Sequence, residues 1–433
     1  MKDQAASGGG TGATAAQRLS TRETAERLGV KPETVYAYVS RGQLSSRRAP
    51  GGRGSTFDAA EVDALARRTG RRDPSPTADP VFRTSITLIE SDRYYFRGVD
   101  ATELAKRYTY EEVAEWLWTG GLRPGIRFTA PDEALAAARR AVDALPVHAG
   151  STDRLRVAVI AAATVDPLRF DLSREAVLAS ARTLIPTLVE ALPLTGGTSS
   201  TGDVADVSGA GLARRLWPKL TAQPADEPSI DALDTALALL IDHDLAASTL
   251  AARVAASAHA HPYAVVSAGL GVLEGPLHGA ASGLAHRMLT EVLERGSAVP
   301  VIADHLRTGR RVPGLGHRLY VAEDPRARTL FDLLVDIPQA APALAAARDV
   351  VTTTARHAPL HANVDLALAV LSVSSGMAAE AGETVFAVSR TAGWIAHALE
   401  EYGERPLRMR PTGQYGGPRP PQPLPTVTGE PLR

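Results

Sequence analysis

The sequence contains no cysteine, and this absence excludes disulfide bonds and thiolate metal sites. It also has no uninterrupted apolar run near the ~20 residues that a membrane-spanning helix needs. The first residues are small or polar and lack the apolar core of a secretory signal peptide. Hydrophobic residues make up 44% and charged residues 22% of the 433, which is ordinary for a soluble globular protein. We therefore predict a cytoplasmic protein of two or three domains that has no membrane partner.

Metal-ligand spacing is also missing. His259 and His261 lie close together, as do His357 and His361, but Pro359 interrupts any helix that would align the second pair. No cysteine or clustered carboxylate completes either pair. The sequence therefore predicts no metal site.

The net charge of −1 hides an asymmetry between the two ends of the chain. Residues 18–72 contain eleven Arg and one Lys against six Asp and Glu, a balance of +6, so the remainder carries −7. A basic N-terminal segment on an acidic body predicts that this segment meets a polyanion.

The same segment has the pattern of a helix-turn-helix. Ser20 or Thr21 can cap a first helix, and Lys31-Pro32-Glu33 opens a second. An Arg/Gly/Pro segment and a short third helix follow, so residues 18–68 resemble the winged helix-turn-helix of the excisionase and MerR-like families. The resemblance implies DNA contacts from the second helix and the wing. These candidate contacts are Thr34, Tyr36, Ala37, Arg41, Arg47, Arg48 and Arg53. A small helical adaptor with a solvated basic loop is the alternative.

The rest of the chain divides by composition. Residues 1–17 read as a disordered tail, 69–80 as a Pro-containing linker and 417–433 as a Pro-rich tail. Residues 81–416 form the main body, which begins with a short strand or extended arm. From 132 to 400 the sequence is almost entirely helical in pattern, interrupted by a polar loop at 195–210. We predict a mainly α fold.

Three short segments of this body each place a titratable side chain in a turn bounded by Gly or Pro. They are GPLHG at 275–279, PGLGHRLYVAEDPRA at 313–327 and ANVD at 362–365. Turns of this kind aim side chains into a cleft instead of a core. Two histidines, one carboxylate and nearby arginines suit acid–base chemistry on a small dianion.

These segments resemble the citrate synthase family, which includes 2-methylcitrate synthases. Four further segments match in the family's order: YFRGVD at 95–100, IDHDLAAST at 241–249, SRTAGWIAHALEE at 389–401 and RPTGQYGG at 410–417. The resemblance implies all-helical large and small domains, the small one at roughly 280–372. It also implies a homodimer or higher even oligomer, with oxaloacetate and an acyl-CoA as partners, acetyl-CoA as co-substrate and no permanently bound cofactor.

The resemblance assigns a role to each matching residue. Asp365 is the expected base, His278 binds the acetyl oxygen and His317 binds the oxaloacetate carbonyl. Substrate-binding candidates are His243, Arg326, Arg390 and Arg410, the last donated across the dimer interface. Coenzyme A candidates are Arg318, Gly314 and Gly316.

Taken singly, these residues have structural alternatives. A histidine in a turn can bond a backbone carbonyl, Asp365 can cap the following helix, and Arg326 or Arg390 can be a surface charge at a helix end. The chain also departs from the family at Ala280, Ser282, Val321 and Thr412.

Two hypotheses from different classes follow. The first is an acyltransferase of the EC 2.3.3 class that condenses acetyl-CoA with oxaloacetate to give citrate, or propionyl-CoA to give 2-methylcitrate. The second is a DNA-binding regulator whose synthase body senses a metabolite.

Overall fold

The computed structural model describes residues 18–28, 30–48, 54–68, 82–90, 92–196, 209–275, 278–409 and 417. Apart from Gly417, the predicted tails lie outside these ranges, as do the linker 69–80 and the candidate residues Arg53 and Arg410. The chain forms two compact units, residues 1–83 and 84–433.

The first unit is a small three-stranded antiparallel sheet with helices packed on it. Strand order is β1-β3-β2, with Leu19 opposite Phe57 and Arg47 opposite Thr56. Its core collects Ala25 and Leu28 from the first helix and Val35 from the second, around the fully buried Phe57. The elements are β1 (Arg18–Ser20), α1 (Thr21–Leu28), α2 (Pro32–Ser40), β2 (Ser46–Arg48), β3 (Ser55–Asp58) and α3 (Ala59–Arg68).

The second unit opens with a small antiparallel sheet and continues as helices. The predicted short strand is β4, which pairs with β5. The elements are β4 (Thr87–Glu90), β5 (Arg93–Phe96), β6 (Val99–Asp100), α4 (Ala101–Arg107), α5 (Tyr110–Thr119), α6 (Asp132–Asp143), α7 (Ser151–Thr164), α8 (Arg174–Ala191), α9 (Leu212–Leu220), α10 (Glu227–Leu240), α11 (Ala247–Ser257), α12 (Pro262–Leu273), α13 (Ala281–Arg295), α14 (Ala298–Arg307), α15 (Pro325–Leu334), a 3₁₀ turn (Pro338–Ala340), α16 (Ala341–Ala355), α17 (Val364–Ser374) and α18 (Ala381–Tyr402).

Helix α18 runs through the middle of this unit. It packs against α8, α10, α11 and α12 and is buried along most of its 22 residues. Close approach depends on two glycines: a Cβ on Gly269 would lie 2.6 Å from the Trp394 ring, and one on Gly393 would lie 2.0 Å from the carbonyl oxygen of Ile241. The second contact presses α18 onto the segment that carries His243, so the central helix positions part of the candidate site.

Within the described ranges, no single helix is long and apolar enough to cross a membrane, although the bent pair Pro325–Leu334 and Pro338–Ala355 passes that test by length and composition alone.

Candidate active site

His243 lies in the short connection between α10 and α11. The preceding Asp242 is fully buried, and Asp244 adopts the left-handed conformation with φ of 57°. The Nε2 atom of His243 lies 2.7 Å from the hydroxyl of Tyr320, which belongs to the turn before α15. Burial, and then the positive charges of Arg326 and Arg390, hold the pKa of His243 well below its ordinary value. This imidazole is therefore neutral at physiological pH.

The turn that carries His317 is fixed to the N-terminus of α17. Gly314 and Gly316 both have positive φ, 79° and 78°, and a Cβ on Gly314 would lie 2.8 Å from the Cβ of Leu366. The side chain of Asn363 donates to the carbonyl of Gly316 at 2.9 Å, while its backbone N–H donates to that of Gly314 at 3.0 Å. The segments that carry His317 and Asp365 are thus tied to each other.

His317 stands beside His243. Their ring centroids are 5.1 Å apart, and the Tyr320 ring lies 4.9 Å from His317. The Nδ1 atom of His317 accepts a hydrogen bond from the N–H of Leu319 at 3.1 Å, so any ring proton of the neutral form is on Nε2. Burial, and then Arg326, lower the pKa of His317 to about 4. His317 is therefore a neutral hydrogen-bond donor through Nε2.

Asp365 is in the first turn of α17 but does not cap it. The N-cap is Asn363, whose Oδ1 accepts from the Asp365 N–H at 3.0 Å, so the alternative of Asp365 as N-cap is wrong. Among the described residues, the Asp365 carboxylate has no hydrogen-bond partner. Burial raises the pKa of Asp365 to about 6, since the opposing charge of Arg326 only partly offsets the loss of solvent.

Arg326 is buried, and the alternative of a surface charge at a helix end is wrong for it. Asp324 accepts from its Nε at 3.0 Å and from its Nη2 at 2.8 Å in a bidentate pair. Asp324 also accepts from the N–H of Val364 at 3.1 Å, which links the start of α15 to the start of α17. The pair leaves Nη1 of Arg326 outside the Asp324 contact.

Arg390 is equally buried, in the middle of α18, so it is no surface charge either. Its Nε donates to the carbonyl of Leu240 at 2.8 Å, whereas its Nη1 atom is buried without a hydrogen-bond partner. Burial lowers the pKa of Arg390 to about 10, with Asp242 opposing the change. A charged, buried and incompletely bonded guanidinium is expected to receive an anionic ligand.

His278 lies near Arg390, because both side chains lie against the ring of Phe386. The Arg390 guanidinium lies 4.4 Å from the Phe386 ring centroid, and the His278 ring lies 6.1 Å from it. The Nε2 atom of His278 lies 2.8 Å from the hydroxyl oxygen of Ser248, at the start of α11. Burial, and then Arg390, lower the pKa of His278, which is neutral at physiological pH.

The three residues predicted to bind coenzyme A do not all line the same cavity. Arg318 and Gly316 line a cavity of about 650 Å³ with His317, whereas Gly314 is buried beneath Leu366 and is not part of its wall. The cavity combines the cations Arg310, Arg311 and Arg318 with an apolar floor. The apolar floor consists of Ile302, Leu306, Val312, Leu315 and Leu360.

Four residues in contact with the site were missed from sequence. Ser248, Tyr320 and Asp324 stand inside matched segments, and that membership was a usable signal. Phe386 lies outside the matched segments and is one more aromatic residue in an apolar helix. Nothing local in the sequence distinguishes Phe386 from a core residue.

In the first unit, the described candidate DNA contacts lie on α2, at Arg41 directly after it, and on β2. Tyr36 is 48% exposed, and Arg41, Arg47 and Arg48 are exposed as well. Thr34 and Ala37 are partly buried on α2. Val35 and Tyr38 point into the core, so these helix positions divide into an inner and an outer face.

Residues 77–412 match the family model described as citrate synthase, C-terminal domain. The chain belongs to the citrate synthase family. Residues 18–70 match a second model, described as a helix-turn-helix domain, which confirms the helix-turn-helix predicted for the N-terminal segment. The predicted mainly α, citrate synthase-like fold is also confirmed by solved structures.

The structure of citrate synthase from Thermotoga maritima MSB8 aligns with a TM-score of 0.63 at 26% identity, covering 82% of this chain and 98% of that one. The structure from Pyrobaculum aerophilum aligns with a TM-score of 0.65 at 23% identity, over 88% and 97%. The second likeness concerns the fold alone.

The sequence relatives in the family differ in how much of their length aligns with this chain. Citrate synthase of Haloferax volcanii is 29% identical over 78% of this chain and 93% of its own length. Citrate synthase 2 of Bacillus subtilis is 35% identical, but the alignment spans 48% of this chain and 56% of that relative.

Proposed function

We propose that this protein condenses acetyl-CoA with oxaloacetate and hydrolyses the resulting thioester to citrate and CoA. The observation that carries the proposal is the shared surroundings of a partly buried carboxylate with a raised pKa, neutral histidines and two buried arginines. Oxaloacetate supplies the two carboxylates that such arginines need.

Arg390 and Arg326 would bind the substrate carboxylates. Nη1 of Arg390 is buried without a hydrogen-bond partner, and the Asp324 pair uses only Nε and Nη2 of Arg326. The resemblance adds Arg410 from the partner subunit. His317 then donates from Nε2 to the ketone oxygen of oxaloacetate, which polarises its carbonyl carbon.

Asp365 would act as the base. Its raised pKa makes it a stronger base than an ordinary aspartate, and it removes a proton from the acetyl methyl group. His278 donates to the thioester oxygen as the enol forms, and the methyl carbon then forms a C–C bond to the ketone carbon. The ketone oxygen takes the proton from Nε2 of His317 and becomes the hydroxyl of the citryl thioester. Water cleaves the C–S bond of the citryl thioester and releases CoA.

The cavity beside His317 suits the rest of the coenzyme. Arg310, Arg311 and Arg318 have no ion pair to a carboxylate in the part of the chain that the structure describes. Phosphates would bind these cations, and the adenine would lie on the apolar floor. A Thermoplasma acidophilum citrate synthase, solved with carboxymethyl coenzyme A and oxaloacetate, aligns at 23% identity with a TM-score of 0.63.

A second copy of the chain is the proposed partner. Apolar side chains stand exposed on α7, α11 and α12, namely Ile160 at 58%, Val254 at 45%, Leu250 at 37% and Val272 at 37%. These helices pack together, and apolar side chains exposed on them are unfavourably hydrated in a monomer. An isologous dimer would bury them.

The test is oxaloacetate-dependent CoA release from acetyl-CoA and propionyl-CoA, followed through the free thiol. Turnover with acetyl-CoA supports citrate synthesis, and a higher kcat/KM with propionyl-CoA assigns 2-methylcitrate instead. A folded protein that releases no CoA from either thioester refutes both.

We further propose that the first unit binds DNA, because Tyr36 on α2, Arg41 directly after it, and Arg47 and Arg48 on β2 are exposed on a basic segment. Fluorescence anisotropy with duplex DNA tests this in the full chain. Arg47→Ala with Arg48→Ala should reduce the salt slope by about 2, and Arg295→Ala in the second unit should leave it unchanged. Binding that is insensitive to salt, or no binding, refutes the proposal.

A further inference from the structure

A chain of buried polar side chains runs behind His243, and the chemistry above does not use it. Thr87 Oγ1 donates to Asp242 Oδ2 at 2.6 Å, and His397 Nε2 lies 3.1 Å from Asp242 Oδ1. On the other side of the ring, Nη1 of Arg253 lies 2.8 Å from His397 Nδ1. Asp242, His397 and Arg253 are at most 1% exposed.

The direction of these hydrogen bonds follows from Arg253. A guanidinium can only donate, so Nδ1 of His397 accepts and carries no proton. The remaining ring proton is on Nε2 and is donated to Asp242. Arg253 is itself held by Glu400 at 2.8 Å and by Glu401 at 3.0 Å, so its orientation is fixed independently of the histidine.

The hydrogen bonds that the Asp242 carboxylate accepts affect the candidate active site. Burial alone would raise the pKa of Asp242, but His397, Arg390 and Thr87 outweigh it and the pKa lies below the ordinary value. The resulting negative charge opposes the lowering of the pKa of Arg390. Asp242 also directly precedes His243 in the chain, so holding its carboxylate in place restricts the backbone from which that ring projects.

We propose that Thr87, His397 and Arg253 are positioning residues that orient the Asp242 carboxylate, and through it Arg390 and His243, for oxaloacetate binding. The inference rests on the proposed function. It predicts that weakening the chain of donors raises KM for oxaloacetate and leaves KM for acyl-CoA unchanged.

Two amide substitutions at His397 separate its two hydrogen bonds. In His397→Gln the amide lies where Nε2 was, so it donates to Asp242; in His397→Asn it lies where Nδ1 was and reaches only Arg253. Both variants lose one bond of the imidazole in the same buried place. We expect His397→Gln to keep the oxaloacetate KM within about threefold and His397→Asn to raise it about tenfold or more. Equal KM values in both variants would overturn the proposal.

Thr87→Val keeps the proposal testable if the His397 variants fail to fold. It removes only the hydroxyl donor at a partly buried strand position. The matched control is Thr187→Val, whose buried hydroxyl bonds a backbone carbonyl within α8. A severalfold rise of the oxaloacetate KM in Thr87→Val alone is expected, and an equal effect of the two variants would contradict a positioning role.

The tautomer of His397 gives a readout that does not need turnover. Long-range proton–nitrogen correlation spectra of protein labelled with ¹⁵N-histidine should show one neutral ring protonated on Nε2 that disappears in His397→Gln. If this signal is present in a protein without synthase activity, the proposed function is refuted but the hydrogen bonds from Arg253 through His397 to Asp242 are supported. A proton on Nδ1 would refute the chain itself.

Discussion

At the scale of single residues, burial decides the chemistry of the site. The same residue types occur elsewhere in the chain as ordinary surface charges. Here Asp365 has a pKa raised to about 6 and His317 one lowered to about 4, and burial is the largest cause of both shifts. The order of these two values is the reverse of that in water, so the Asp365 carboxylate is a better base than the His317 imidazole.

The acid limb of the pH profile should therefore report Asp365. We expect kcat/KM to fall with decreasing pH around a pKa of about 6, because protonation removes the base. A carboxyl group has a small enthalpy of ionisation compared with an imidazole. Repeating the profile at two temperatures checks the assignment, and a limb that moves strongly with temperature would assign it to a histidine instead.

Replacing the base should weaken catalysis and strengthen the fold. Asp365→Asn is expected to lower kcat about 10²–10⁴-fold. Because the folded-state pKa lies above the unfolded-state value of about 3.9, the charged carboxylate destabilises the folded protein at neutral pH. The variant should therefore gain about 1–2 kcal/mol in the free energy of unfolding at pH 8.

The pH dependence of that gain provides its check. It should shrink as the pH falls through about 6 and disappear below about pH 4, where the aspartate is protonated in both states. Urea denaturation of the two proteins at pH 8 and pH 4 measures it. A variant that is less stable than the wild type at pH 8 would show that the carboxylate is held by interactions that favour its charge.

At the scale of elements, the turns could be predicted from sequence and the contacts between distant elements could not. The Gly and Pro residues of GPLHG and PGLGHR predict turns, and the order of the two segments in the chain matches the family. Asp365 is a capable N-cap for α17, but Asn363, two residues earlier, takes that place. Burial of Arg326 and Arg390 depends on the helices that surround them, and no local pattern encodes it.

Close packing of α18 against the His243 segment gives a testable consequence. Gly393→Ala should destabilise the protein by about 3 kcal/mol and reduce kcat/KM, because the new Cβ would meet the Ile241 carbonyl at 2.0 Å. The matched control is Gly271→Ala, also inside a helix but with no atom within 4 Å of its Cβ, which should gain about 0.5–1 kcal/mol. Urea unfolding and steady-state rates measure both, and a Gly393→Ala variant as active and stable as the control would contradict the packing account.

At the scale of the whole molecule, one chain combines a basic helix-turn-helix unit with a citrate synthase unit. The charge asymmetry and the helix spacing made the first unit predictable, and ordered motifs made the second predictable. Assembly is the property that a single chain reveals least, because a dimer interface and a solvated apolar face have the same local pattern. It therefore needs an experiment of its own.

The proposed sharing of Arg410 between subunits predicts complementation. Asp365→Asn and Arg410→Ala homodimers should each be nearly inactive. After subunit exchange about half of the dimers are mixed, and each mixed dimer has one site with neither substitution, so about a quarter of the wild-type activity should return. A control in which Asp365→Asn is mixed with His317→Ala should recover no activity, because both residues belong to one subunit's site and each site of the mixed dimer then keeps one substitution. No recovery in the first mixture would place Arg410 in the site of its own subunit.

The central claim is that this protein forms a carbon–carbon bond between an acyl thioester and oxaloacetate. The most direct measurement follows acetyl-CoA labelled with ¹³C at the methyl carbon, mixed with oxaloacetate and the full chain, by NMR. We predict that the label appears in a citrate methylene group with the wild type and stays in the thioester with Asp365→Asn. Label that ends in free acetate, or that never leaves acetyl-CoA in the folded wild type, would contradict the account.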